Sequence, residues 1–412
     1  MSSARHTLAF AARNLLRNRR RTLVTLVSIA FGFTSLALFA GYTKNTYLGL
    51  RNQAVYGELL GHLTISRRGL AEEGRLHPEK YLLSADDIGR IAAKVKETEP
   101  QAKFAPRLGV NGLISNGRVS TIFIAEGVAP EDMRDLRGPL VNASGMLDAS
   151  KSGGITVAQG LAAILGLKDG DDSSLLASTL RGQANALDAQ IVDTFSTGNA
   201  GTNDKFMFMP LEQARALYDA AGRADRLTVV LPDVERTNQE RDRVAAALAP
   251  LGMDLEVKTW VDLSAFYRQV KNLFDMIFTF LFSIVLAISV MALANVIGMN
   301  VVERTREIGA LRSLGMRRAG IQRLFITEAF LMAVIGCVMG FFLTLALRYG
   351  INAADITYIP PNSTNRVPLT VGLNLPLMGV VVLLLGSLGA LAAWLPARRA
   401  ARAPIIEALG HV

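Results

Sequence analysis

Four uncharged, apolar stretches divide the chain: Thr22–Thr43, Met276–Val302, Ala329–Leu347 and Val367–Ala397. A helix needs about 20 apolar residues to cross the hydrocarbon layer of a bilayer. The pattern therefore predicts four transmembrane helices, near 22–43, 274–300, 324–347 and 373–395. Between the first two the pattern changes. Residues 44–270 contain no run of spanning length and instead carry short strand and helix signals.

Within that segment LTIS (63–66) reads as a strand. SADDIGRIAAKVKE (84–97) opens with an N-cap serine and an acidic first turn, as helices prefer. FAPRLGVNGLIS and VSTIFIAEGV read as two strands around the Asn116–Gly117 turn signal. RLTVVL (226–231), VERTNQERDRVAAALAPLG and LEVKTW (255–260) read as strand, helix and strand. Residues from about 140 to 222 differ. ITVAQGLAAILGLKDGDD suggests a strand, a short helix and a glycine stop. Strands near LDAQIVDTF follow, then a Gly/Asn-rich loop at 196–204 and MPLEQARALYDAAG. The two ends of the segment predict one α/β lobe, with a second lobe at about 140–222 inserted between them. The loop 196–204 is either a contact for another protein or a plain hairpin tip. The expected fold class is an α-helical membrane protein with four transmembrane helices plus a large α+β extracytoplasmic domain of two lobes. The first span is expected to continue outward as helix through TKNTYLGLRNQAVYG. Leu263, Phe266, Tyr267, Val270 and Phe274 share a helical face before the second, so these two helices could pair as a stalk.

Charge gives the expected orientation. The chain carries a net +9, yet 44–270 holds 26 Lys+Arg against 29 Asp+Glu, leaving 18 basic and only 6 acidic residues for the rest. The bases cluster before the first span (Arg5, Arg13, Arg17, Arg19, Arg20, Arg21), between the second and third (Arg304, Arg306, Arg312, Arg317, Arg318, Arg323) and after the fourth (Arg398, Arg399, Arg402). By the positive-inside rule both termini and residues 301–323 are cytoplasmic and 44–270 lies outside. The loop 348–372 is then also outside and 396–412 forms a cytoplasmic tail. Charge banked at span ends argues against nucleic-acid binding. LAFAARNLLRNRRR, with Leu8, Ala11, Ala12, Leu15 and Leu16 on one face, suits an elbow helix within residues 1–21 lying on anionic membrane lipid. No small-x-small cleavage site follows the first apolar run, so it reads as a retained anchor. Cys337, the single cysteine, sits inside the third span and reads as packing.

Catalytic motifs are missing. The sequence has no GxxxxGK[ST] phosphate loop, no HExxH, no cysteine cluster and no G-x-S-x-G elbow, and His6, His62, His77 and His411 are scattered. The expectation is no active site, no metal and no cofactor bound by this chain. Asn295, Asn300 and Glu328 are the main intramembrane polar residues. An acid in a span is a functional candidate, though Glu328, near Arg323 and Arg304, reads more simply as a pairing that fixes the third span. Gly336 and Gly340 form a GxxxG, which permits close helix packing, and Gly386 and Gly389 in the fourth span have the same character. Phe31, Phe33 and Phe39 are candidate lining residues of a cargo surface, or plain lipid-facing aromatics.

VVERTREIGALRSLGMRR (301–318) is charged and amphipathic, yet lies between two spans. A helix at 303–315 would carry Ile308, Leu311 and Leu314 as an apolar stripe, widened by Ala310. Glu303 and Glu307 near its start and Arg312, Arg317 and Arg318 near its end match the helix dipole, and Gly315 is placed to stop it. So short a helix is unstable alone. It needs a surface, either the ends of its own spans or a groove on a cytoplasmic partner.

Residues 294–336, ANVIGMNVVERTREIGALRSLGMRRAGIQRLFITEAFLMAVIG, resemble the core segment of FtsX-like/MacB-like ABC transporter permeases, and PARRAARAPIIEALG (396–410) resembles their tail. The order of one span, a large outer domain and three spans, with GLAAILGLKDGD, FSTG and MPLEQARALY in that domain, is most similar to the lipoprotein-releasing (Lol-type) and MacB-like members. The resemblance implies a multi-pass protein of the bacterial inner membrane with a periplasmic domain. It implies a coupling helix, comprising Glu303, Arg304, Arg306, Glu307, Ile308, Leu311, Arg312, Leu314 and Gly315, that receives motion from a separate cytoplasmic ABC ATPase dimer holding ATP and Mg. It further implies a second permease chain, identical or paralogous, and a periplasmic carrier or adaptor. The expected function is ATP-driven movement of the periplasmic domain to extract lipoprotein or lipid cargo. Alternatives are a MacB-like efflux motor with an adaptor and outer-membrane channel, or a transmembrane activator of a periplasmic hydrolase.

Overall fold

The computed structural model describes residues 19–74, 76–140, 143–151, 153–360, 363–402 and 404. The expected elbow helix, apart from Arg19–Arg21, and most of the tail lie outside these residues. Numbering helices of seven or more residues, α1 is Arg19–Asn52, α2 Ala85–Thr98, α3 Pro130–Arg137, α4 Gln159–Leu165 and α5 Leu211–Tyr218. Then come α6 Thr237–Leu248, α7 Ala265–Glu303, α8 Thr305–Ser313, α9 Arg318–Ala353 and α10 Leu375–Arg402. The chain forms two compact units: a helical one, with residues up to Tyr47, Lys271–Thr357 and Pro368 onward, and a sheet unit of Leu48–Val270 with Tyr358–Val367.

In the helical unit α1, α7, α9 and α10 are each long and apolar enough to cross a membrane. They pack where side chains are small. A Cβ on Gly336 would lie 2.7 Å from Ile29 Cγ2, and one on Gly340 2.7 Å from the Ala30 carbonyl, so the GxxxG of α9 is the face that meets α1. The Thr34 hydroxyl lies 3.0 Å from the Gly340 carbonyl at this crossing. Gly389 of α10 likewise admits Leu293 of α7. Toward the other end of α1 the Phe274 ring meets Phe39, Tyr42 and Tyr47, and the Tyr47 hydroxyl donates to Asp275 (2.9 Å). The expected pairing of the first and second helices is present there. Two boundaries differ from expectation. The fourth helix runs on to Arg402 with Pro396 inside it, so 396–402 is helix rather than tail. Proline disfavours a helix interior, but Ala397, Ala400 and Ala401 are buried in the helical core and hold the turn in place. In the 348–372 connection α9 continues to Ala353, and Tyr358–Val367 belongs to the sheet unit instead of forming a free loop.

The sheet unit is built on nine strands: β1 Leu63–Arg67, β2 Lys103–Ser115, β3 Ser120–Val128, β4 Gly154–Ala158, β5 Asp172–Ser178, β6 Ala184–Phe195, β7 Phe206–Pro210, β8 Arg226–Val230 and β9 Leu255–Thr259. Their order is β3-β7-β4-β6-β5-β2-β8-β1-β9, and β2 also pairs with β3, so six strands close into a ring. The β2–β3 hairpin turns at Asn116, whose side-chain oxygen accepts from the Arg118 and Val119 amides, and at Gly117 (φ +83°). The two ends of the segment do pair: β1, β8 and β9 with α2 and α6 enclose one core. The Ser84–Asp87 capping box starts α2. The inserted lobe, however, does not begin near 140. The first half of β2 pairs with β8 and its second half with β3 and β5, so this one long strand belongs to both cores and a single sheet joins them.

A buried charge cluster sits where β2, β3 and β8 meet. Arg107, 1% exposed, pairs with Glu126 at 2.9 Å and donates to the Leu59 carbonyl. Arg226 pairs with Glu126 and, at 2.9 Å, with Asp225, which accepts from the Gly109 amide. Burial alone would raise the Glu126 carboxyl, but Arg107 and Arg226 hold it below the usual range. The 196–204 loop is tied down. Thr197 accepts from Gln53 (2.8 Å), Asn199 caps the short helix Ala200–Asn203, and the Ser196 and Thr364 hydroxyls lie 2.6 Å apart.

Candidate functional site

The segment between α7 and α9 is built by two chain breaks. Arg304 (φ −109°, ψ 15°) ends α7 and opens α8. At the far end Met316 N–H donates to the Leu311 carbonyl and Gly315 N–H to that of Arg312, with Gly315 at φ +94°. This is the glycine-dependent C-terminal cap the sequence called for. The helix is shorter than the expected 303–315: Glu303 closes α7, while Leu314 and Gly315 lie beyond α8.

That shift divides the expected apolar stripe. Ile308 is 5% exposed and packs in the same core as Ile297, Ile321, Ala397 and Ala400, and Leu311 is partly buried against it. Leu314, past the last turn, is 85% exposed. The surface α8 needs is therefore supplied by its own spans, through Ile308, Gly309 and Leu311. Glu303, Arg306, Ala310, Ser313, Leu314 and Met316 are exposed, and Glu307 and Arg312 are half-buried. The sequence stripe missed Ala310 and Met316 as surface. The signal that could have found them was Gly315, since a helix stopped there cannot carry Leu314 on its inner face.

A polar cluster fixes α8 from behind. Glu328 (1% exposed) accepts from Asn300 Nδ2 at 3.0 Å and lies 3.6 Å from Arg304 Nη1, while Arg304 Nε donates to Glu307 at 2.8 Å. The Arg304 guanidinium also sits over the Phe325 ring. One residue of each of α7 and α9, the break residue and α8 are thereby joined. Arg323 is not part of it. Five residues from Glu328 is about 140° around a helix, and Arg323 is exposed on another face. Asn295 is separated from Asn300 for the same reason and is also exposed. The three phenylalanines do not line one surface: Phe33 is 2% exposed against Gly340, Phe31 is 67% exposed, and Phe39 stacks with Phe278. Among the described residues no group of three or more His, Cys, Asp or Glu side chains is placed to hold a metal.

Residues 279–405 match the FtsX-like permease C-terminal family, and this stretch contains α8, Gly315 and the whole Asn300–Arg304–Glu328 cluster. The chain carries an FtsX-like permease domain. The macrolide export ATP-binding/permease protein MacB of Nitrobacter winogradskyi is 29% identical over 60% of this chain and 36% of its own length. The pyoverdine export ATP-binding/permease protein PvdT of Pseudomonas entomophila is 23% identical over 95% of this chain and 57% of its own. The chain thus spans from about a third to somewhat over half the length of these two relatives. The crystal structure of the periplasmic region of MacB from Actinobacillus actinomycetemcomitans aligns with 52% of this chain and 93% of that chain, at 13% identity and a TM-score of 0.34. The FtsX-like match covers the second half of α7 and continues through α10, leaving the sheet unit almost wholly outside it.

Proposed function

We propose that this chain is the permease part of an ABC transporter, and that α8 is where it receives force from a cytoplasmic ATPase. The observation that carries this reading is the two-sided character of α8. One face is anchored to the spans through Ile308 and the Arg304–Glu328 pair, while the other presents Arg306 and Ala310, with Leu314 and Met316 exposed in the turn just beyond it. A helix so held can pass a push to α7 and α9 instead of yielding to it. ATP and Mg are then held by that ATPase, which meets the chain at α8. In this reading the basic ends of the spans are cytoplasmic, the sheet unit is periplasmic in the inner membrane, and two permease chains work together.

Two cargo classes fit. Export of a small molecule through an adaptor and outer channel is favoured by the names of the relatives MacB and PvdT. Extraction of lipoprotein or lipid to a soluble carrier is favoured by the outer-domain segments GLAAILGLKDGD and MPLEQARALY. Cross-linked pull-down from native membranes with mass spectrometry separates them. An ATPase with a membrane-fusion adaptor supports export, and an ATPase with a soluble lipid carrier supports extraction. A cell-wall hydrolase in place of either turns the reading to signalling, and recovery of no ATPase removes the transporter assignment.

A further inference from the structure

Asn295 is a polar side chain on the outside of a membrane-crossing helix. The uncharged run Met276–Val302 of α7 centres on Ser289. At 1.5 Å per residue Asn295 lies about 9 Å from that centre, inside the roughly 15 Å half-thickness of the hydrocarbon. Thr279 and Ser283, also exposed on α7, return their hydroxyls to the Asp275 and Thr279 carbonyls at 2.8 Å. The Asn295 carboxamide has no hydrogen-bond partner among the described residues, and a polar group left so in hydrocarbon is costly. Asn295 also stands in a pattern. Leu281, Ile284, Ile288, Met291 and Asn295 are spaced 3, 4, 3 and 4 residues apart, Val302 follows one heptad later, and all six are exposed. Such a 3.5-residue repeat is the seam on which two helices pack side by side. Only 11% of the apolar stretch of α7 is buried, against 28% to 50% in the other three spans, so α7 is the span left most uncovered.

We propose that two copies of this chain pack through this seam of α7, with the two Asn295 carboxamides hydrogen-bonded to each other across a two-fold axis along the membrane normal. A second copy is the occupant the chemistry selects. A carboxamide both donates and accepts, so it complements itself. Two copies inserted in the same sense present Asn295 at the same depth, on parallel helices with their seams in register, whereas lipid tails offer no hydrogen-bonding group there. A single asparagine in such a seam fixes both register and the number of helices, and amide side chains join helices across membrane interfaces in the same way. The inference rests on the reading that two permease chains work together, and gives that pair its contact surface. The seam ends at Val302, beside Glu303 where α7 closes, so the pairing sets the spacing of the two α8 helices.

The test uses the full chain in liposomes, mixing copies that carry donor and acceptor fluorophores and following energy transfer as lipid is added. Asn295→Leu weakens association about 3- to 30-fold, the range for a hydrogen bond between helices in a membrane. Asn295→Gln keeps an amide and most of the association. Because Asn295 is exposed, Asn295→Leu melts in detergent like the parent chain, which separates lost pairing from misfolding. Under copper phenanthroline Met291→Cys, at a position 71% exposed in the seam, cross-links to its own copy, and Leu383→Cys, at a position 70% exposed on α10, does not. Energy transfer with cross-linking at 383 instead of 291 leaves two chains together and overturns the seam. No energy transfer at any density removes the two-chain reading and the seam with it. Unchanged association in Asn295→Leu overturns the amide pairing. A cross-link from position 291 to a different protein in native membranes assigns this face to that partner and overturns the second copy.

Discussion

Replacing Leu314 and Ile308 by aspartate, one at a time, separates the two faces of the α8 segment. Leu314 is 85% exposed and Ile308 5%. Leu314→Asp removes almost no intramolecular contact, so the fold should change by no more than about 0.5 kcal/mol, as for other surface substitutions. If Leu314 enters a groove on an ATPase, the change forfeits the burial of a leucine, about 1.5–3 kcal/mol, before the cost of desolvating the new carboxylate. Docking then weakens by roughly 10- to 100-fold or more. Ile308→Asp loses a similar burial from the folded chain itself and places an unpaired carboxylate among Ile297, Ile321 and Ala397, a change of about 4 kcal/mol or more. The assay is thermal unfolding in detergent beside co-purification of the ATPase and its turnover in the reconstituted complex. Leu314→Asp should melt like the parent chain and lose the partner; Ile308→Asp should lose yield and melting temperature first. An unaltered ATPase complex in Leu314→Asp would refute the docking role of this surface. Unaltered melting in Ile308→Asp would refute the packing.

Glu328→Ala strips Asn300 and Arg304 of a buried partner and should destabilise the helical unit by about 3–5 kcal/mol, seen as a lower melting temperature; Arg323→Ala, outside the cluster, should leave it unchanged. Gly340→Leu puts side-chain carbon where the Ala30 carbonyl and Phe33 already lie, so α1 and α9 must separate; its melting temperature in detergent should fall well below that of Gly298→Leu, whose added carbon meets open space, and equal melting would contradict the crossing. His62 is buried in the sheet unit, and burial, with Arg51 nearby, lowers its pKa from 6.5 to about 4. A depressed imidazole stays neutral when folded while the unfolded chain takes up the proton, so stability falls as pH drops from 6.5 toward 4, by about 2 kcal/mol between pH 7 and pH 5. His62→Asn keeps an acceptor for the Leu231 amide and should flatten that slope in urea unfolding; identical slopes would dispose of the assignment.

Most of the helical unit was legible because lipid tolerates little else than long uncharged runs. The strands and turns that obey local rules were legible too: the Asn116–Gly117 hairpin, the Ser84 cap and the Gly315 stop. Strand β7, FMFMP, is nearly continuously buried and shows no alternation to read, and β5 hides in the serine-rich DSSLLAS. The Arg107–Glu126 pair escaped notice, although the hairpin register alone sets Glu126 opposite Gly109, two residues from Arg107. Its second pair of charges comes from β8, a hundred residues away, and no local pattern carries that. At α8 the composition was read correctly and the geometry was not. Two residues of helix shortening at the C-terminal end turned Leu314 from an inward anchor into an outward one.

Tyr358–Val367 completes a unit whose other residues end at Val270. Ribosomes add about 5–20 residues per second, so the segment that meets Ser196 through Thr364 emerges roughly 5 to 20 seconds after the rest of its unit. Until the third long helix has been made, the sheet unit waits with its 196–204 loop incompletely held. Completion of the sheet unit is thereby made to depend on synthesis of a helix that belongs to the other unit. A chain truncated after the third span should leave that loop open to proteolysis even when every strand of the sheet has been made.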